Sequence, residues 1–148
     1  MRHELHTDIT IAAPPATVWQ ALTDLERYAE WNPFIIESSG VVREGERLIN
    51  RLQPPGGKAM TFRPTVTEVV PEQTFEWTGR VLTRGVFDGR HRFDLEPVDA
   101  GGTRVHHAEY FSGLLVRVMR GSLDTATRAG FEAMNQALKA HAESRVHC

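Results

Sequence analysis

The C-terminal stretch from Leu114 to Ser144 constrains the fold more than any other part of the chain. It contains no proline, and apolar or small residues recur at helical spacing: Met119, Leu123, Ala126, Gly130, Phe131, Met134, Ala137 and Leu138. Asp124, Arg128, Glu132, Gln136, Lys139 and Glu143 take the opposite side. The pattern predicts one long amphipathic helix. At about 1.5 Å per residue it would reach roughly 35–45 Å, enough to cross a small domain. The rest of the chain must then supply the surface on which this stripe lies.

The preceding segments read as strands with two short helices near the start. Leu5, Thr7, Ile9 and Ile11 alternate with His6, Asp8 and Thr10, the pattern of a half-buried strand. Pro14 and Pro15 suit the first turn of a helix, which would run to about Leu22 with Val18 and Leu22 facing inward. Thr23 and Glu26 have the spacing of a capping box opening a second short helix, which Pro33 closes after Trp31 and Asn32. Six strands are expected next: Phe34–Val42, Glu46–Gln53, Ala59–Val70, Thr74–Thr83, Val86–Glu96 and Thr103–Phe111. Their breaks lie at Arg43–Gly45, Pro54–Gly57, Pro71-Glu72, Arg84-Gly85 and Pro97–Gly102. Connections this short leave no room for crossover helices, so the strands form an antiparallel meander. The expected class is α+β, within a single domain spanning residues 1–148. A large twisted sheet curls, and the long helix is the element available to cover its concave side.

Alternation along the last three strands identifies the covered face. Phe75, Trp77, Gly79 and Val81 form one row, and Phe87, Gly89, His91, Phe93 and Leu95 a second. Val105, His107, Glu109 and Phe111 form the third. The Arg84-Gly85 turn places Trp77 opposite His91, Phe75 opposite Phe93 and Gly79 opposite Gly89. Across Pro97–Gly102, His91 falls opposite either His107 or Glu109. Trp77, His91, His107 and Glu109 should therefore cluster beneath the helix.

Buried imidazoles and carboxylates need partners, so this cluster has two readings. The four groups satisfy one another in a half-wet core, or they form the polar end of a ligand cavity. In the second reading the lining is Trp31, Phe62, Val66, Phe75, Trp77, Phe93, Phe131 and Met134, with His91, His107 and Glu109 as polar anchors. The same three polar residues are the candidates for acid–base catalysis. Two histidines and a carboxylate are suitable metal ligands, yet two facing strands supply poor facial geometry, and no metal is expected. Gly79 and Gly89 suggest either close approach of the helix, at Gly130, or a hollow kept open.

No G-x-G-x-x-G, P-loop, H-E-x-x-H or G-x-S-x-G motif is present, so no cofactor is expected. The formal net charge of −2 and the scattered arginines argue against nucleic acid as a partner. No apolar run approaches the roughly 20 residues of an integral membrane segment. Met1–Thr10 lacks the apolar core of a signal peptide, and the single cysteine, Cys148, permits no internal disulfide. A cytoplasmic protein is expected, and neither a monomer nor a homodimer is singled out.

Several segments carry a family resemblance. They include Ile11-Ala12-Ala13-Pro14, Val18-Trp19-x-x-Leu22-Thr23-Asp24 and Trp31-Asn32-Pro33. Phe87-Asp88-Gly89-x-His91-x-Phe93, Gly102-Thr103-x-Val105 and Phe111-Ser112-Gly113-Leu114 belong to the same pattern, as does the ending Phe131-x-x-Met134-x-x-x-Leu138-Lys139. Together they resemble the SRPBCC superfamily, the START-like helix-grip proteins that include polyketide cyclase/dehydrase-like members. The resemblance covers essentially the whole chain. It implies a seven-stranded curved antiparallel sheet wrapped around the long C-terminal helix, two short helices after the first strand, and a hydrophobic cavity between sheet and helix. Members range from lipid and hormone carriers to aromatase/cyclases, and no cyclase-specific catalytic residue maps onto this sequence. The expected function is binding of a small hydrophobic or aromatic metabolite. The alternatives are a cyclase, aromatase or dehydratase using the cavity His and Glu groups, and a protein-interaction module. Gly113 and Gly121 flank the segment that would open such a cavity.

Overall fold

The computed structural model describes residues 2–81 and 85–146. The chain begins with strand β1 (Arg2–Ile11) and helix α1 (Pro15–Thr23). A 3-10 turn (Leu25–Arg27) leads into the single-turn helix α2 (Tyr28–Trp31). Seven strands follow: β2 (Ile35–Ser39), β3 (Ile49–Leu52), β4 (Met60–Phe62), β5 (Thr65–Val70), β6 (Thr74–Val81), β7 (Phe87–Val98) and β8 (Gly102–Ser112). Helix α3 (Val116–Ser122) then runs through a π-helical turn (Leu123–Thr127) into α4 (Arg128–Val146). The long helix predicted from periodicity is therefore continuous, with the π turn as its one irregularity. Thr83, Arg84 and Cys148 lie outside the described residues.

The strands form two antiparallel sheets. Five strands pair in the order β1-β8-β7-β6-β5, and three in the order β2-β3-β4. The expected single strand Ala59–Val70 is divided into β4 and β5, with buried Pro64 between them. Proline has no N–H to give a ladder, so pairing breaks at its position. The two halves consequently pair with different sheets. Backbone bonds Gly45 N–Val66 O (2.9 Å), Val66 N–Glu46 O (2.8 Å) and Leu48 N–Pro64 O (2.8 Å) tie the small sheet to the edge of the large one. The second and third strands are also shorter than expected, ending at Ser39 and beginning at Ile49.

The expected capping box is absent. No side chain caps the 3-10 turn after Asp24, and the Thr23 hydroxyl instead donates to the Trp19 carbonyl (2.7 Å) within α1. Asn32 does the local work: its Oδ1 accepts from both Phe34 N and Ile35 N, each at 2.9 Å, and so starts β2.

Helix α4 lies on β1 and α1 and closes the concave face. Phe131, Met134, Leu138 and Ala142 are fully buried against Leu5, Val105, Phe75 and Phe93 in one contiguous core. Met119 departs from the expected stripe and is 38% exposed. The helix also covers the free edge of β1. Arg128 Nη1 donates to His6 O (3.0 Å), Lys139 Nζ donates to Thr10 O (3.2 Å), and Glu143 Oε2 accepts from Ala12 N (2.8 Å). Such side-chain caps stop an edge strand from recruiting another chain.

The glycines have causes different from those expected. A Cβ on Gly130 would strike the ring of Phe34, so the close approach there is by an aromatic side chain. Gly79 faces Pro64 at ordinary contact distance, whereas a Cβ on Gly89 would overlap the Glu109 carboxylate. Gly130→Ala should therefore destabilise the protein by about 1–3 kcal/mol, the usual cost of overpacking. Gly121→Ala, on a helical glycine with open space around it, should be neutral or stabilising by up to about 1 kcal/mol. Urea denaturation of both variants checks the pair; equal effects would contradict this account of Gly130.

Candidate functional site

Three strand registers bring the polar residues together. Trp77 pairs with His91, His91 with Glu109, Phe93 with His107, and Thr7 with His107. Of the two registers the sequence allowed across the β7–β8 loop, the structure has the one that sets His91 opposite Glu109. Residues of one parity on each strand share the concave face, so these side chains meet beneath α4.

They form a continuous line of polar contacts across the interface. Glu109 Oε1 lies 3.2 Å from His91 Nδ1. His91 Nε2 is 2.7 Å from His107 Nε2, and His107 Nδ1 is 2.7 Å from Asn135 Oδ1. Asn135 Nδ2 donates to Thr7 Oγ1 (2.9 Å), whose hydroxyl donates to the His107 carbonyl (2.8 Å). Aromatic rings enclose the line. Phe131 lies parallel to His107 with centroids 4.0 Å apart, Phe93 stacks on it at 4.3 Å, and Trp77 stacks on His91 at 4.6 Å.

Burial is uneven along this line. His107 is fully buried and the His91 side chain is 3% exposed, whereas the Glu109 side chain is 16% exposed. Burial holds the His107 pKa well below the ordinary imidazole value, and the neighbouring His91 and, more weakly, His106 act in the same direction. The Asn135 hydrogen bond only partly opposes them. His107 is thus a neutral group at physiological pH. The Glu109 carboxylate sits over Gly89, in the hollow left by the missing Cβ.

At the other end of the line, Thr7 and Asn135 border a surface groove of about 500 Å³ with Arg128 and Glu132. A groove of about 440 Å³ lies mainly on the opposite face of the large sheet, among Thr78, Arg80, Arg90 and Tyr110, and includes Gly89 and Phe111 but not Glu109. Among the described residues, no group of three His, Cys, Asp or Glu side chains is placed to hold a metal ion.

The other expected lining residues divide into two groups. Phe75, Phe93, Val66, Phe131 and Met134 are buried in the same core as the polar line. Trp31 is elsewhere: it stacks on His141 of α4 at 5.3 Å and meets Tyr28 edge-on at 5.2 Å. Phe62 is half-buried on β4, paired with Asn50 in the small sheet. Sequence reading missed Asn135 altogether and treated Thr7 only as a face residue. The signal for Asn135 was its spacing: it lies four residues after Phe131 and three before Leu138, in the buried stripe. A polar residue there needs a partner across the interface.

The fold and sequence have clear relatives. A family model described as "Polyketide cyclase / dehydrase and lipid transport" matches residues 2–143. The crystal structure of the Zhui aromatase/cyclase from Streptomyces sp. R1128 has a TM-score of 0.81 at 18% identity, covering 99% of this chain and 96% of that one. The di-domain aromatase/cyclase StfQ of the steffimycin biosynthetic pathway has a TM-score of 0.79 at 14% identity; the match covers all of this chain and 53% of that one. A hypothetical protein from Helicobacter pylori, jhp0584, has a TM-score of 0.78 at 16% identity, with 95% and 88% coverage. No curated protein sequence matches significantly.

The depressed pKa of His107 has a consequence for stability. Below about pH 6.5 the unfolded chain binds a proton that folded His107 refuses, so acidification favours unfolding. Stability should fall by up to about 1.4 kcal/mol per pH unit from this group as the pH drops towards its folded pKa. Between about pH 7.5 and 5.5, His107→Gln should show a shallower loss of stability than the parent in urea denaturation. Parallel pH profiles would contradict the neutral, buried assignment.

Proposed function

We propose that this chain, which belongs to the polyketide cyclase/dehydrase and lipid transport family, binds a small hydrophobic or aromatic metabolite between the large sheet and the C-terminal helix. The observation that carries the reading is the partly exposed Glu109 carboxylate held 3.2 Å from buried His91, among the aromatic side chains of the covered face. The pair satisfies itself through one carboxylate oxygen, yet the Glu109 side chain keeps 16% exposure, so a polar group of a ligand can reach it from the aromatic surroundings. Trp77, Phe87, Phe93, Phe111 and Phe131 supply flat apolar surface around the pair. A ring system carrying a hydroxyl or carbonyl suits both features. The entrance in this reading is the segment between Gly113 and Gly121, where Leu114 and Val118 are 79% and 80% exposed and Val116 is the buried anchor that opening must release.

A second reading is proton-transfer chemistry on such a ligand, of the cyclase, aromatase or dehydratase kind. The His91–Glu109 contact favours it, because it places a proton donor and a proton acceptor side by side. The likeness to two aromatase/cyclases is consistent with it. Fold alone does not transfer a reaction. A pH–rate profile unchanged by His91→Ala would exclude His91 from that role.

Native mass spectrometry and solvent extraction of the purified protein should yield a co-purifying aromatic or polycyclic molecule. Glu109→Gln should weaken its binding about tenfold or more, the scale of a hydrogen bond to a charged group. Gly89→Ala should act in the same direction with the Glu109 residue unchanged, because the added methyl evicts its carboxylate from its seat. A protein that binds no small molecule, with both variants indistinguishable from the parent, would overturn the proposal.

A further inference from the structure

We infer that Asn135 and Thr7 are positioning residues: they lock His107 in its Nδ1–H tautomer and so leave the one mobile proton of the buried line on the His91–Glu109 pair. The hydrogen-bond directions follow from one fixed point. The His107 carbonyl can only accept, so the Thr7 hydroxyl, 2.8 Å away, must donate to it. Having spent its only proton there, Thr7 Oγ1 must accept from its other neighbour, Asn135, at 2.9 Å. That fixes the Asn135 amide, with its nitrogen toward Thr7 and its oxygen toward His107. A flipped amide would offer Thr7 a second acceptor and leave the carbonyl or the amide unpaired.

The same directions carry through both imidazoles. Asn135 Oδ1 accepts, so His107 Nδ1, at 2.7 Å, carries a hydrogen. The 2.7 Å between His107 Nε2 and His91 Nε2 has room for one hydrogen only. Placing it on His107 would make that ring a cation with no carboxylate against it, walled by Phe93 and Phe131 at 4.3 and 4.0 Å. Placing it on His91 leaves His107 neutral and sets any positive charge beside Glu109. His91 therefore donates through Nε2, and its Nδ1 faces the Glu109 carboxylate at 3.2 Å. These two atoms hold a single proton between them, either on the imidazole as an ion pair or on the carboxyl as a neutral pair.

This assignment separates two histidines that sequence alone treats as equivalent. His107 is a fixed acceptor that orients its neighbour, much as an outer partner sets a histidine tautomer in other buried sites. His91 and Glu109 form the unit that can take up or release a proton toward a ligand. That functional part rests on the ligand-binding reading above; the tautomer itself does not.

The test is long-range ¹H–¹⁵N correlation spectroscopy of the full-length, ligand-free, ¹⁵N-histidine-labelled protein at neutral pH, assigned with His91→Gln and His107→Gln. The parent should show His107 protonated at Nδ1 and bare at Nε2, and His91 protonated at Nε2. Asn135→Asp, which still offers an acceptor, should keep the hydrogen on His107 Nδ1. Asn135→Leu and Thr7→Val should move it toward the Nε2–H form or a mixture. A parent His107 protonated at Nε2 overturns the inference whatever the variants do, and so does an Asn135→Leu spectrum identical to the parent's. Because the spectra are taken without ligand, a protein that binds nothing yet shows the locked tautomer would refute the binding proposal and uphold this one.

Discussion

One helix covers the concave face of a strongly curled sheet, and that face is not wholly apolar. Everything near the site follows from this conflict. Two imidazoles, a carboxylate, an amide and a hydroxyl are removed from bulk water, and each must be hydrogen-bonded or shifted in protonation state. The chain resolves it by joining them end to end, from Glu109 through His91, His107 and Asn135 to Thr7. The line crosses from the large sheet to α4 and back to β1, so it also fixes the rotation of the helix about its own axis. Turning α4 to remove Asn135 from the interface would strand His107 Nδ1 without an acceptor. Apolar contacts supply the bulk of the stability, and the polar line supplies register.

Several parts of this arrangement were legible in the sequence. Period-two alternation put Trp77, His91, His107 and Glu109 on one face, and the short turn after β6 fixed Trp77 against His91 and Phe75 against Phe93. The helical period found Phe131, Met134 and Leu138. What escaped depends on contacts between distant residues. Asn135 looks like any surface asparagine until its position in the apolar stripe is matched with a histidine 28 residues earlier. Thr23 satisfies the local rule for a cap yet bonds back to Trp19, because it is still the last residue of α1 and the position before the next turn falls to Asp24. Pro64 divides a run of otherwise good strand formers, and only the pairing partners show that the halves belong to different sheets. Gly89 reads as a packing gap in isolation and becomes a carboxylate seat once Glu109 is placed.

The two ends of the polar line are built differently. The Asn135–Thr7 end is closed by a backbone carbonyl and has no proton to exchange. The Glu109 end is partly exposed, borders aromatic surface and holds a titratable pair. In the proposed function the ligand enters past α3, where Val118 faces outward and Val116 is held in the core, and the π turn that follows interrupts the α-helical geometry.

Trp77 offers the most direct measurement, because its indole stacks on His91 inside the proposed site. The chain has three tryptophans, so Trp19→Phe with Trp31→Phe leaves Trp77 as the sole reporter. Titrating that variant with 2-naphthol should give a saturable change in Trp77 emission, and Glu109→Gln in the same background should shift the midpoint to higher concentration. Binding of 2-naphthol shown by calorimetry with Trp77 emission unchanged would place the ligand elsewhere and contradict the account.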